Sequence, residues 1–108
     1  MTGFSHNQAA IVERNLRLFG ELNMTSQAIR RLGSAALNMA NVAAGRLDGY
    51  WELAVKPWDI AAGALIVREA GGLVSRVDGE NDLLTMPCSV AATNPQLHSM
   101  LLAIVREE

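Results

Sequence analysis

Between Asn7 and Asn23, positions 11, 15, 18 and 22 fall on one helical stripe carrying Ile11, Asn15, Leu18 and Leu22, which Ala10, Val12, Leu16 and Phe19 widen. This spacing predicts an amphipathic helix. A polar break at residues 24–27 leads to Ala28-Ile29-Arg30-Arg31-Leu32, a short apolar-edged run that stops at Gly33 and reads as a strand. From Ser34 to Ala44 nearly every residue is small or apolar, with Ser34 suited to an N-cap and Gly45 to the helix end, so a second, closely packing helix is expected. Residues 47–53, aromatic-rich and closed by Lys56-Pro57, read as a strand in which Gly49 marks a point of close approach. A third helix starts at Pro57, carries Ile60, Ala64, Val67 and Ala70 on one stripe, and stops at Gly71-Gly72. Leu73 to Val77 and Ser89 to Thr93 read as strands either side of the Asp78-Gly79 turn. Asn94-Pro95 caps a last helix, Pro95 to Arg106, with Leu97, Leu101, Ile104 and Val105 on its apolar side. Alternating helices and strands predict an α/β layered sheet with flanking helices rather than a bundle.

At 108 residues the chain has room for a single domain, and 50% hydrophobic against 19% charged residues argues for a packed core. Nine Lys plus Arg against eleven Asp plus Glu leave a net charge of −2 and no basic stripe, so nucleic acid is not an expected partner. No apolar run reaches the roughly 20 residues of a membrane helix, so a membrane is not expected either. The N-terminal residues lack a secretory pattern and Cys88 is the single cysteine, which together make the cytoplasm the expected compartment.

Three places suggest chemistry. Asp59 stands in the first turn of the third helix, where the positive end of the helix dipole keeps a carboxylate ionised; it suits a hard cation, and equally a plain helix-stabilising role. Ala61, Ala62 and Gly63 then strip side chains from the helix surface, allowing close approach by another backbone or a ligand. Glu52 precedes Asp59 by seven residues, so a strand-loop-helix connection can bring both carboxylates to one rim able to bind metal or a polyol; a solvated strand-end acid is the bland alternative. Gly33-Ser34-Ala35 opens the small-residue helix, where free backbone N–H groups can meet an anion or a hydroxylated ligand. His6 and His98 are far apart in sequence and read as surface residues, Cys88 as a small buried hydrophobe, and Trp51 and Trp58 as core or interface anchors.

Trp58-Asp59-Ile60-Ala61-Ala62-Gly63, followed by Ile66-Val67-Arg68-Glu69-Ala70-Gly71-Gly72, resembles the second signature motif of the magnesium-dependent, lithium-sensitive inositol monophosphatases. Residues 31–37, 42–46 and 48–52 are similar to the family segment upstream of that motif. Thr2-Gly3-Phe4 is similar to a further short stretch, with Ser5 where proline is usual. The resemblance covers essentially the whole chain but only the carboxyl-terminal part of a family member, leaving roughly the first half or more unrepresented. It implies the carboxyl-terminal domain of that fold. It also implies a metal-ligating and substrate-facing Asp59, a Glu52 that hydrogen-bonds substrate hydroxyls, and Gly33, Ser34 and Ala35 lining the sugar-alcohol side of the pocket.

In the family, magnesium ions assist attack of water on a phosphate monoester, and their other ligands come from an Asp-Pro-Leu-Asp-Gly-Thr motif and an earlier glutamate, neither of which is in this sequence. Magnesium wants octahedral oxygen coordination, so one carboxylate is too few, and weak or absent binding is expected of the chain alone. The expected role is the carboxyl-terminal half of a magnesium-dependent inositol-phosphate phosphatase, catalytically incomplete by itself and paired with a missing N-terminal half. The alternative is an inactive module retained for dimerisation or regulation. A nucleotide 3′-phosphatase or sugar bisphosphatase is a third reading, from which Glu52 points away. Apolar surface left open by the absent part predicts self-association.

Overall fold

The computed structural model describes residues 2–3, 9–29, 33–86 and 88–106, with the side chains of residues 2–3 and 9–12 left aside. His6, for which the sequence predicts a surface position, lies outside the described residues. The elements are β1 (Thr2–Gly3), α1 (Ala9–Thr25), α2 (Ala35–Ala43), β2 (Gly49–Val55), α3 (Pro57–Glu69), β3 (Leu73–Ser75), β4 (Cys88–Thr93) and α4 (His98–Val105). They form a four-stranded sheet in the order β1-β2-β4-β3. β4 runs antiparallel to both neighbours, and the two-residue β1 adds a parallel edge to β2.

Strand β4 is central, and all six of its residues are buried because helices cover both faces. Cys88, Val90 and Ala92 point to one face and join Met39 and Val42 of α2 and Ile60, Ala64 and Val67 of α3. Ala91 points to the other, where Leu18 and Leu22 of α1, Trp51 and Leu53 of β2 and Val105 of α4 meet. The result is a three-layer α/β/α arrangement, as the alternation of elements predicts. Among the described residues no helix is long and apolar enough to cross a membrane.

Of the small residues of the third helix, Ala61 and Ala62 are exposed and Gly63 serves helix packing. Gly63 lies against Met39, and a Cβ there would come within 2.8 Å of its Sδ and 2.9 Å of its Cβ, so α2 and α3 approach as closely as they do because position 63 is bare. Gly49 is likewise tight against its neighbour, 3.2 Å from Thr93 Cγ2 for an added Cβ.

Four expectations change. Ala28 and Ile29 are not strand, and the rest of that run, residues 30–32, lies outside the described residues; the fourth strand is β1 instead. The first helix runs to Thr25 rather than Asn23, where the Thr25 and Ser26 hydroxyls donate back to the Leu22 carbonyl at 3.2 and 2.8 Å. The last helix starts at His98 rather than Pro95. Residues 95–97 form a turn in which Leu97 N donates to both the Asn94 carbonyl (3.3 Å) and Asn94 Oδ1 (3.1 Å). His98 is not a surface residue: its ring is half-buried between Ser75 Oγ (2.9 Å from Nε2) and Thr93 Oγ1 (3.2 Å from Nδ1).

A two-carboxylate rim at the start of helix α3

Asp59 is held by the chain turn that starts α3. Lys56 is the N-cap in extended conformation and Pro57 fills the first helical position, where a missing N–H costs nothing. Asp59 N donates to the Lys56 carbonyl at 2.9 Å, and Asp59 Oδ2 accepts from Lys56 N at 3.2 Å. Lysine has no side-chain acceptor, so Asp59 supplies one half of the reciprocal capping pair. The helix-stabilising role is therefore present, and it engages one of the two carboxylate oxygens while the side chain stays exposed.

Glu52 stands on β2 opposite Val90 and on the same face as Tyr50, two residues earlier. The β2–β4 register becomes irregular immediately after it, between Glu52 and Val55, a device that re-aims side chains beside functional sites. The Tyr50 hydroxyl donates to Glu52 Oε1. Burial raises the Glu52 carboxyl above its ordinary value, the Tyr50 hydrogen bond works in the opposite direction, and the negative charge of Asp59 raises it further. The charge of Asp59 acts on the Tyr50 phenol in the same upward direction.

Gly33 takes a left-handed conformation (φ 80°) just ahead of α2. The Ser34 hydroxyl accepts from Leu37 N at 3.2 Å, an ordinary N-cap, and Ala35 packs partly buried against the core. One turn into the helix, Asn38 is buried with no hydrogen-bond partner for its amide atoms among the described residues.

Asn38 and Tyr50 escaped the sequence reading. Tyr50 was findable, since period-two alternation puts it on the face of Glu52; Asn38 shares a helical stripe with Val42 and carries no separate signal. Trp51 is buried in the core, whereas Trp58 is 77% exposed beside Asp59. Cys88 is buried, as expected of a small hydrophobe.

Among the described residues no three His, Cys, Asp or Glu side chains cluster closely enough to hold a metal ion. The donors present are carboxylate oxygens, which suit a hard divalent cation in kind and fall short of its coordination in number.

Known proteins share both the sequence and the fold of this chain. Residues 2–108 match the inositol monophosphatase family. An inositol-1-monophosphatase of Synechocystis sp. is 46% identical over 102 residues, covering 94% of this chain and 35% of its own. Among solved structures, the inositol monophosphatase of an Anabaena (Nostoc) species superposes with a TM-score of 0.86 at 39% identity, covering 96% of this chain and 43% of that one. The extragenic suppressor protein suhB of Bartonella henselae superposes with a TM-score of 0.89 at 38% identity, covering 98% and 41%. The chain thus spans about two fifths of the length of the proteins it matches, and it corresponds to their carboxyl-terminal portion. On the motif around Asp59, the fold and these matches together, the chain belongs to the inositol monophosphatase family.

Proposed function

We propose that this chain folds as one domain and forms the polyol-facing side of a magnesium-dependent phosphomonoesterase acting on inositol monophosphate or a related polyol phosphate. The observation that supports this most is the placing of two carboxylates at either end of the short β2–α3 connection, Glu52 half-buried and hydrogen-bonded by Tyr50, Asp59 exposed in the first turn of the helix. In this reading Asp59 occupies one coordination position of a magnesium ion and faces the phosphate, while Glu52 accepts hydrogen bonds from the polyol hydroxyls. Gly33, Ser34 and Ala35 border the sugar alcohol through their backbone, since the Ser34 hydroxyl is already engaged as the cap. Magnesium, when bound, would neutralise charge on the phosphate. The remaining ligands come from the part of the family fold that this chain does not span, and the same reading places the protein in the cytoplasm.

The test is phosphate release from inositol 1-phosphate across a magnesium titration. It compares the purified chain with the chain mixed with the separately prepared N-terminal part of the Synechocystis relative. Release is expected in the mixture alone and is lost with Asp59→Asn; release by the lone chain that disappears with Asp59→Asn contradicts its incompleteness.

A second reading, an inactive module for dimerisation or regulation, draws on the exposed Trp58, Leu37 and Leu65 of α2 and α3. It predicts partner binding that Asp59→Asn leaves intact and no release in the mixture. Both readings expect self-association of the isolated chain, and a clean monomer in sedimentation velocity contradicts it.

A further inference from the structure

Polar groups rarely enter an apolar core without a task. On the α2/α3 face of the sheet, among Met39, Val42, Ile60 and Val90, the side chain of Tyr50 is fully buried and its hydroxyl points outward to Glu52. Asn38 of α2 is buried as well, 1% exposed, and neither of its amide atoms has a hydrogen-bond partner among the described residues. The Tyr50–Glu52 pair thus leads from the buried core to a half-buried carboxylate.

The direction of the bond matters. The phenol donates to Oε1 of Glu52, leaving Oε2 without a hydrogen bond among the described residues. Burial and the neighbouring carboxylates push the phenol well above its ordinary range, so it stays a donor at any pH the fold meets. An isolated glutamate at an irregular strand end samples several rotamers, and each ordering loss would weaken its contact with a substrate hydroxyl. One held by a rigid, buried ring does not.

We propose that Tyr50 is a positioning residue: through its hydrogen bond to Oε1 it fixes the Glu52 carboxylate and turns Oε2 outward toward substrate hydroxyls. The outward half of this statement rests on the polyol reading above; the Tyr50–Glu52 coupling does not.

The experiment is NMR on the chain with labelled Glu side-chain carboxyl and Tyr ring carbons, followed through a pH titration and then a titration with free myo-inositol. In the wild type the Tyr50 Cζ shift should follow the ionisation of Glu52, and Glu52→Gln should abolish that inflection. Tyr50→Phe should move the Glu52 midpoint to higher pH, because a donor favouring the carboxylate is gone, and should average its side-chain rotamers. Inositol binding should weaken with Tyr50→Phe and with Glu52→Gln, and the double variant should be no weaker than Glu52→Gln alone, since Tyr50 acts through Glu52. A Glu52 titration unchanged by Tyr50→Phe overturns the proposal. If that variant does not fold, a wild-type Tyr50 Cζ shift that is flat through the Glu52 titration overturns it. Coupling without any effect of Glu52→Gln on inositol overturns the polyol reading and supports the positioning role.

Discussion

The two faces of the sheet are built from similar aliphatic material and are used differently. On the α1/α4 face, Leu18, Leu22, Trp51, Leu53 and Val105 close over the strands, and His98 is clamped between two hydroxyls, one on β3 and one on β4. On the α2/α3 face the helices pack over Gly63, and the buried Tyr50 donates to the half-buried Glu52. The difference teaches how the two faces are packed: the face whose helices approach over a bare Gly63 carries a buried phenol bonded to a half-buried carboxylate, and the other closes over apolar side chains and His98.

Cavities on the two faces should separate stability from site geometry. Met39→Ala and Leu18→Ala each remove a fully buried side chain and should each cost about 2–5 kcal/mol in urea unfolding. Only the Met39 variant, which loosens α2 against α3, should also shift the Glu52 carboxyl resonance; equal shifts from both would dissolve the distinction. Next in size, Gly63→Ala puts a Cβ against Met39 and should cost about 1–3 kcal/mol, read by the same unfolding curves. Ser34→Ala removes the α2 cap and should cost about 1 kcal/mol with no change in inositol binding, because the hydroxyl serves the helix.

The smallest effects are on pH dependence, and their signs oppose. Burial raises Glu52 above 4.5, so its neutral form favours the fold. That contribution is complete below 4.5 and is lost as pH rises through the elevated value. Burial lowers His98 below 6.5, so its neutral form also favours the fold, and this contribution is present above 6.5 and lost as pH falls toward the lowered value. Thermal melts from pH 4 to 8 should show Glu52→Gln flattening one slope and His98→Gln the other; a slope that survives its own variant contradicts the assignment.

Much of this was legible in the sequence because the signals are local. Pro57 with Asp59, Ser34 as a cap, Gly63 as a bare contact and the Ile60–Ala64–Val67 stripe each depend on spacing within a turn or two, and the structure places them accordingly. The apolar β4 run was visible as a strand, but its central place was not, since that depends on pairing with β2 and β3. What escaped depends on distant partners. His98 looks like a polar surface position until Ser75, 23 residues away, is brought to it. Thr2–Gly3 is too short for any periodicity, and its strand exists only because β2 offers an edge. Ala28 and Ile29 lie outside the sheet, and a short apolar-edged run does not by itself make a strand. At the site, Glu52 and Asp59 were legible as candidate carboxylates, while the buried Tyr50 that donates to Glu52 required the fold.

The most direct test of the two-carboxylate rim uses the chain reconstituted with the N-terminal part of its Synechocystis relative, assayed on inositol 1-phosphate and on phenyl phosphate, which has no polyol. The account predicts that Asp59→Asn loses both activities, on the order of 100-fold, because the metal position serves either substrate. Glu52→Gln should lose activity on inositol 1-phosphate and keep it on phenyl phosphate. Equal loss on both substrates with Glu52→Gln, or full activity with Asp59→Asn, would contradict it.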